Sequence, residues 1–239
     1  MLSTPSSHPD EPWHHTTKGG LLRNVVYGFN DGLTANLGLV ATVVGAQLDL
    51  DTIILTGMAG VVAGALSIGS SGYLATKSQR EVHEHEVALE REEIRLMPDL
   101  EEQELALIYR ARCLPEDQAS RVAQQLIKSP RQALAVMERE ELGVGFEAMS
   151  PIRESWITAV ATAVGAVIPV IPFLFLPIRG AVWTSFLVAM GSHFLVGAAR
   201  SIVTGRGVVR SGVDMFLIGL GISAVGYLVG DVLVRYLLG

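Results

Sequence analysis

Apolar positions along the chain gather into five runs almost free of charge: Leu33–Leu48, Thr52–Ala75, Trp156–Leu176, Ala181–Ala199 and Val213–Gly230. Each run approaches the ~20 residues that a helix needs to cross a ~30 Å hydrocarbon core. A soluble core can conceal one or two such runs but hardly five, so the pattern predicts an all-α membrane protein with five transmembrane helices. Between the second and third runs the pattern changes to an acidic stretch, Glu81–Glu147. The helical period continues into it from Ala75 through Lys77-Ser78-Gln79-Arg80, with no breaker before Pro98, so the second span is expected to project beyond the bilayer as a stalk.

Past Pro98, the residues Leu100, Leu105, Ile108 and Tyr109 predict an apolar face on the next helix. Pro115 starts a third helix with Val122, Leu126 and Ile127 turned inward. Ser129-Pro130 opens a fourth, with Ser129 as N-cap, Pro130 at the first helical position and Gln132 completing a capping box. That helix carries Met137, Glu138 and Glu141 and is expected to stop at Gly143. The resulting plan is a disordered tail over 1–20, two membrane helices over 21–76, a helical domain over 77–150, and three further membrane helices over 151–239.

Polar residues inside the apolar runs mark candidate chemistry. A first span that starts near Leu21 buries Asn30, Asp31 and Asn36 in the membrane, whereas a start at Leu33 would leave Asp31 as a cap. Leu33–Leu48 alone is short for a span, which favours the earlier start, and a carboxylate within the bilayer is a functional-site candidate by default. Gly28/Gly32, Gly57/Gly60/Gly64 and Gly226/Gly230 allow close helix packing. Pro169 and Pro172 should kink the third span and free backbone carbonyls. His193 reads as a histidine hydrogen-bonded to a neighbouring helix, with a proton relay as the alternative. Asp231 and Arg235 read as interfacial, snorkelling residues.

Charge refines this picture. The net charge of −6 comes largely from the insert and offers no nucleic-acid footprint. The single cysteine, Cys113, excludes an intrachain disulfide. No cleavable signal is visible in the polar amino-terminal tail, so the first span is expected to direct insertion itself. Lys18 and Arg23 flank the first span, and Arg200, Arg206 and Arg210 lie between the last two, while the opposite loops carry only Arg179. The bias toward basic cytoplasmic loops places the amino terminus and the insert in the cytoplasm and the carboxyl terminus on the other side.

Within the insert, Glu90 with Glu93 and Glu101 with Glu104 form two pairs at helical spacing on either side of Met97-Pro98. Residues three apart share a helix face. Two helices folded back around Pro98 would bring four carboxylates together, an oxygen-rich set suited to Mg²⁺, Mn²⁺ or Fe²⁺. Solvated charged helices are the plain alternative.

Several stretches resemble the vacuolar iron transporter family: Val26-Tyr27-Gly28-Phe29-Asn30-Asp31-Gly32-Leu33, Ala63-Gly64-Ala65-Leu66-Ser67, Ser78-Gln79-Arg80-Glu81, Ile168-Pro169-Val170-Ile171-Pro172-Phe173 and the closing Gly-rich span. The resemblance covers roughly Gly20 to Leu238. It implies a homodimer of five-span subunits, each with a cytoplasmic metal-binding domain, that moves Fe²⁺ and often Mn²⁺ out of the cytosol in exchange for protons. Position by position, it places the translocation aspartate on Asp31. It places the metal-binding carboxylates on Glu90, Glu93, Glu101, Glu104 and Glu141, and a methionine ligand on Met137.

The family's Ser-Met pair and following Gly-Glu-Tyr are Ser67-Ile68 and Ser71-Gly72-Tyr73 here. This removes a soft thioether and one carboxylate, and points to a bacterial branch that exports iron or manganese. The expected setting is therefore a bacterial inner membrane, or a vacuolar membrane in a eukaryote. The expected partners are the lipid bilayer, protons and a divalent cargo (Fe²⁺ or Mn²⁺, with Zn²⁺ and Co²⁺ as further candidates), with no resident cofactor and no catalytic residues. Two competitors remain: a membrane-anchored protein that buffers or senses metal without moving it, and a di-iron ferroxidase. The second needs Glu-x-x-His on two helices, and the chain has only Glu11–His14.

Overall fold

The computed structural model describes residues 16–140 and 150–238, which are helical apart from short turns. In chain order the helices are α1 (Thr16–Gly45), α2 (Leu50–Leu96), α3 (Pro98–Ala111), α4 (Glu116–Ile127), α5 (Pro130–Glu140), α6 (Pro151–Val167), α7 (Ile171–Phe175), α8 (Ile178–Thr204) and α9 (Val208–Leu233). A π-helical turn, Val234–Leu238, follows. The described residues fall into two compact units. One holds those up to Tyr73 and from Ser150 onward, and the other those from Leu74 to Glu140. Three helices among them, α2, α8 and α9, are long and apolar enough to cross a membrane.

Each predicted span maps onto a helix, with two differences. The first helix starts at Thr16, inside the stretch expected to be a disordered tail, because extending a nucleated helix costs little. Asp31 therefore sits mid-helix, about 22 Å from its start at ~1.5 Å per residue, and does not cap it. The third run is broken rather than kinked: α6 ends at Val167, a turn covers 168–170, and α7 resumes at Ile171. Pro169 lacks an N–H, and the Val170 N–H turns back to the Val167 carbonyl at 3.0 Å.

The carbonyls released by that break find side-chain donors. Asn36, only 3% exposed, donates one amide hydrogen bond to the Ala166 carbonyl (2.6 Å) and another to the Gly57 carbonyl (3.1 Å). One side chain on α1 thus joins α6 and α2. Ser185 of α8 donates to the Pro169 carbonyl at 2.6 Å, and Ser155 of α6 donates to the Gly69 carbonyl of α2 at 2.5 Å. Helix α1 is the centre of the first unit and packs on α6, α8 and α9. Its contacts are backbone to backbone at two places. A Cβ on Gly32 would fall on the Thr162 carbonyl of α6, and one on Gly230 of α9 would fall on the Thr42 carbonyl of α1. Apolar packing closes the rest, with Val40, Val43, Ile53, Val170, Phe173 and Ala181 in one cluster and Leu33, Leu37, Ala189 and Met190 in another.

Helix α1 ends in a Schellman motif, with the Leu48 N–H bonded to the Val43 carbonyl and the Gln47 N–H to the Val44 carbonyl. Asp49 then caps α2. Its carboxylate accepts the Thr52 hydroxyl (2.7 Å) and the Thr52 N–H (3.1 Å), and these bonds hold its pKa below the usual carboxylate value.

In the second unit, Ile94, Leu105, Ala123, Ala133 and Met137 form the core. The small residues Ala119 and Ala123 form the buried face of α4, whereas Val122, expected inward, is only half-buried and Leu126 and Ile127 pack at the margin. Leu100 is exposed, because the buried stripe of α3 runs through Glu101 and Leu105 instead. Helix α5 does begin at Pro130, and the Ser129 carbonyl accepts the Gln132 and Ala133 N–H groups at 2.8 and 3.0 Å. Gly143, the expected stop, lies outside the described residues.

Two predictions follow from these connections. Asn36→Leu should destabilise the protein by about 1–3 kcal/mol, since it strands the buried Ala166 carbonyl and removes the tie to Gly57. A melting temperature in detergent equal to that of the parent would remove Asn36 as the bridge. Asp49→Ala should lower the melting temperature at neutral pH. Because the folded pKa of Asp49 is depressed, its contribution is present above the ordinary carboxylate range and lost as pH falls through the lowered value. The gap between parent and variant should therefore close in acid, and a gap independent of pH would contradict the charged cap.

Candidate metal-handling residues

The predicted carboxylate pairs do not behave as pairs. Glu90 and Glu101 are buried, at 6% and 3% exposure, while Glu93 is exposed and Glu104 half-buried. Helical geometry explains the split. Glu90 lies one turn before Ile94, and Glu101 one turn before Leu105, and both apolar residues belong to the core that contains Met137. The buried stripes of α2 and α3 therefore carry one glutamate each toward the same core, and the i+3 partner of each is turned toward water. Burying a carboxylate costs several kcal/mol unless a cation or donors compensate it, so Glu90 and Glu101 are the most informative acids in the unit.

Met137 is fully buried in α5 and places its thioether in that core. Glu141 lies outside the described residues. Among the described residues, no group of three or more His, Cys, Asp or Glu side chains is close enough to hold a metal ion. Glu90, Glu101 and Met137 are thus each buried within the second unit, whereas Glu93 is exposed and Glu104 half-buried.

The other acids of α2 serve surface pairs. Lys77 pairs with Glu81 at 3.7 Å, Arg80 with Glu84 at 2.7 Å, and Arg95 with Glu92. The Arg95 hydrogen bond holds the Glu92 carboxyl below its ordinary pKa. Such exposed pairs contribute little stability.

One contact was not anticipated. His83 of α2 is largely buried, and its Nε2 lies 3.3 Å from Oε1 of Glu138 on α5. The signal was present in the spacing: His83, Val87, Glu90 and Ile94 recur at helical intervals and are the positions of that stretch withdrawn from solvent.

In the first unit, Asp31 is exposed on a single chain and shares an exposed stripe of α1 with Tyr27 and Ala35, while Leu39, farther along the same stripe, lies against Gly60 of α2. His193 of α8 is fully buried. Its Nδ1 donates to the Ala189 carbonyl at 2.9 Å, and its Nε2 lies 3.2 Å from the Thr34 hydroxyl. The histidine ties α8 to α1, as the hydrogen-bonded reading expects. Asp231 and Arg235 pair with each other at 2.9 Å.

Comparison with known proteins is consistent across the chain. The family model described as the VIT family matches residues 22–231. A vacuolar iron transporter of Centaurea cyanus is 35% identical over 218 residues, covering 90% of this chain and 88% of that protein. Vacuolar iron transporter 1 of Arabidopsis thaliana is 33% identical over 227 residues (92% and 90%), and that of Tulipa gesneriana is 35% identical over 231 residues (94% and 93%).

The burial of Met137 separates its volume from its sulfur. Met137→Leu should change stability by less than about 1.5 kcal/mol, whereas Met137→Ala should cost about 2–5 kcal/mol. Denaturant unfolding of the full chain measures both, and equal losses would mean that Met137 does not fill the core as described.

Proposed function

The chain belongs to the VIT family, and from that premise we propose that it exports divalent metal, Fe²⁺ or Mn²⁺, from the cytosol in exchange for protons. The observation that carries this reading is Asp31, a carboxylate halfway along a helix whose following residues carry no charge as far as Gly45. Lipid alone gives such a group no partner, so a protein pathway is the reasonable setting for it. The five spans of this reading are α1, the first part of α2, α6 with α7, α8, and α9, with the second unit on the cytoplasmic side.

In this mechanism the second unit captures the cargo. Glu90 and Glu101 supply hard oxygen ligands from buried stripes, Met137 supplies a soft sulfur, and Glu93, Glu104 and Glu141 complete the set when the ion arrives. Capture need not be tight, because the ion must also leave. The ion then passes Asp31, on the stripe of α1 that its own subunit leaves uncovered, where a second copy of the chain would bring a second Asp31. A carboxylate there holds either a proton or a cation. Metal arriving from the cytosol displaces the proton, and a proton arriving from the other side displaces the metal, which gives exchange by competition at one site.

The absence of a thioether at Ile68 and of a carboxylate at Gly72 favours one other reading, a membrane-anchored protein that buffers metal without moving it. Reconstituted flux separates the two. Parent protein in proteoliposomes should carry Fe²⁺ or Mn²⁺ in a manner dependent on the pH gradient. Asp31→Asn should lower flux at least tenfold while metal binding to the detergent-solubilised protein persists. Undiminished flux in Asp31→Asn would refute the single-site exchange, and metal binding without flux in the parent would favour the buffer.

A further inference from the structure

The first unit carries an open cleft of about 670 Å³ between α1, α8 and α9, with Leu37, Phe186 and Leu220 at its deep end and Val44, Trp183 and Tyr227 at its outer end. Its two serines have no hydrogen free to donate to a ligand, since Ser185 donates to the Pro169 carbonyl and Ser223 to the Gly219 carbonyl at 2.9 Å, and the rest of the lining is apolar apart from the Tyr227 hydroxyl. An occupant of this part must therefore be apolar. The cleft does not stop there. A second depression, of about 380 Å³, shares Val44, Val182 and Trp183 with it and reaches Gln47 and Arg179. Both polar side chains are exposed, and none of the salt bridges found among the described residues involves Arg179. Gln47 occupies the left-handed backbone region (φ 55°), where glycine costs least, so the chain keeps an amide side chain at this rim against a local penalty.

A long apolar trough that ends in an exposed guanidinium, an amide and a tryptophan has the chemistry of a phospholipid with a net negative headgroup. We propose that this groove is a resident anionic-phospholipid site, with one acyl chain along the α1–α8–α9 cleft and the phosphodiester against Arg179 and Gln47. Tryptophan and tyrosine favour the headgroup level of a bilayer, and Trp183 and Tyr227 lie at the polar end of the trough. Arginine suits a phosphate oxygen pair better than lysine does, and a basic pocket between membrane helices is a recognised way to hold anionic headgroups. The site lies on the side of α1 away from the Asp31 stripe, so it is independent of the cargo path. It rests on the reading of the first unit as membrane-embedded.

Trp183 provides the readout. A chain carrying Trp13→Phe and Trp156→Phe, placed in phosphatidylcholine vesicles, is titrated with phosphatidylglycerol or phosphatidylcholine bearing the same brominated acyl chains. Phosphatidylglycerol should quench Trp183 with about a fivefold higher relative affinity, the preference expected of one basic side chain at an anionic headgroup. Arg179→Gln should erase that preference and Arg179→Lys should keep most of it. Native mass spectrometry of the otherwise unaltered chain supplies a second measurement, in which an anionic phospholipid should survive delipidation and be lost in Arg179→Gln. Equal quenching by the two lipids, or a preference untouched by Arg179→Gln, overturns the site. Equal quenching is also what a second copy of the chain in the groove would give. No quenching by either lipid overturns the membrane reading itself.

Discussion

Two hydrogen bonds from one amide tie three helices of the first unit together. Proline in the third apolar run forces the helix to break, and a broken helix in lipid leaves carbonyls that water cannot reach. Asn36 answers one of them, at Ala166, and with its other N–H reaches Gly57 of α2. The break and the bridge are complementary: an unbroken α6 would have no spare carbonyl to offer, and a chain without Asn36 would have no donor for it. Ser185 repeats the same solution at Pro169. Polar side chains in this unit thus hold backbone that irregularity has exposed.

That arrangement also sets the surface of α1. Backbone contact at Gly32 brings α6 against the helix, Gly230 brings α9 to Thr42 about three turns past Asp31, and His193 brings α8 to Thr34. One line of the helix carries Tyr27, Asp31, Ala35 and Leu39. Helix α9 meets that line of α1 only from Gly38 onward, which leaves Asp31 itself exposed. Helix α2 contributes less cover than its length suggests, since it is joined to α1 and α6 mainly through side-chain bridges to its own carbonyls.

Much of this was legible in the sequence. The charge-free runs located the apolar helices, three of which are long enough to cross a membrane, the absence of any breaker between Ala75 and Pro98 anticipated a 47-residue α2, and the glycine pairs of α1 and α9 marked backbone crossings. The helix break at Pro169 was read as a kink, because composition alone does not show whether neighbouring donors are available to stabilise an open turn. In the second unit the apolar pattern pointed rightly to Leu105 but also to Leu100 and Val122, whereas the other buried positions of α3 and α4 are Glu101, Ala119 and Ala123. Small residues win where helices must approach closely, and hydrophobicity ranks them low. The carboxylate pairs were legible as spacing but not as orientation: a three-residue step puts side chains on neighbouring lines of a helix, and a narrow buried stripe admits only one of the two. His83 escaped notice for the converse reason, since its alignment with Glu90 spans two turns and only the fold brings Glu138 beside it.

The proposed reading places different ligand chemistry in the two units. In the capture unit, oxygen and sulfur donors share one core, whereas the path through the membrane has Asp31 but isoleucine where relatives of the resembled pattern have a thioether. A carboxylate alone distinguishes poorly among divalent ions of similar size, and a thioether favours the softer ones. Selectivity for the softer cargo would then rest on Met137, ahead of the bilayer, while the membrane step would respond to charge and proton supply. This division also explains how a single intramembrane acid could suffice: the ion has been chosen before it reaches the lipid, and the remaining task is to carry a charge that the apolar core would otherwise exclude.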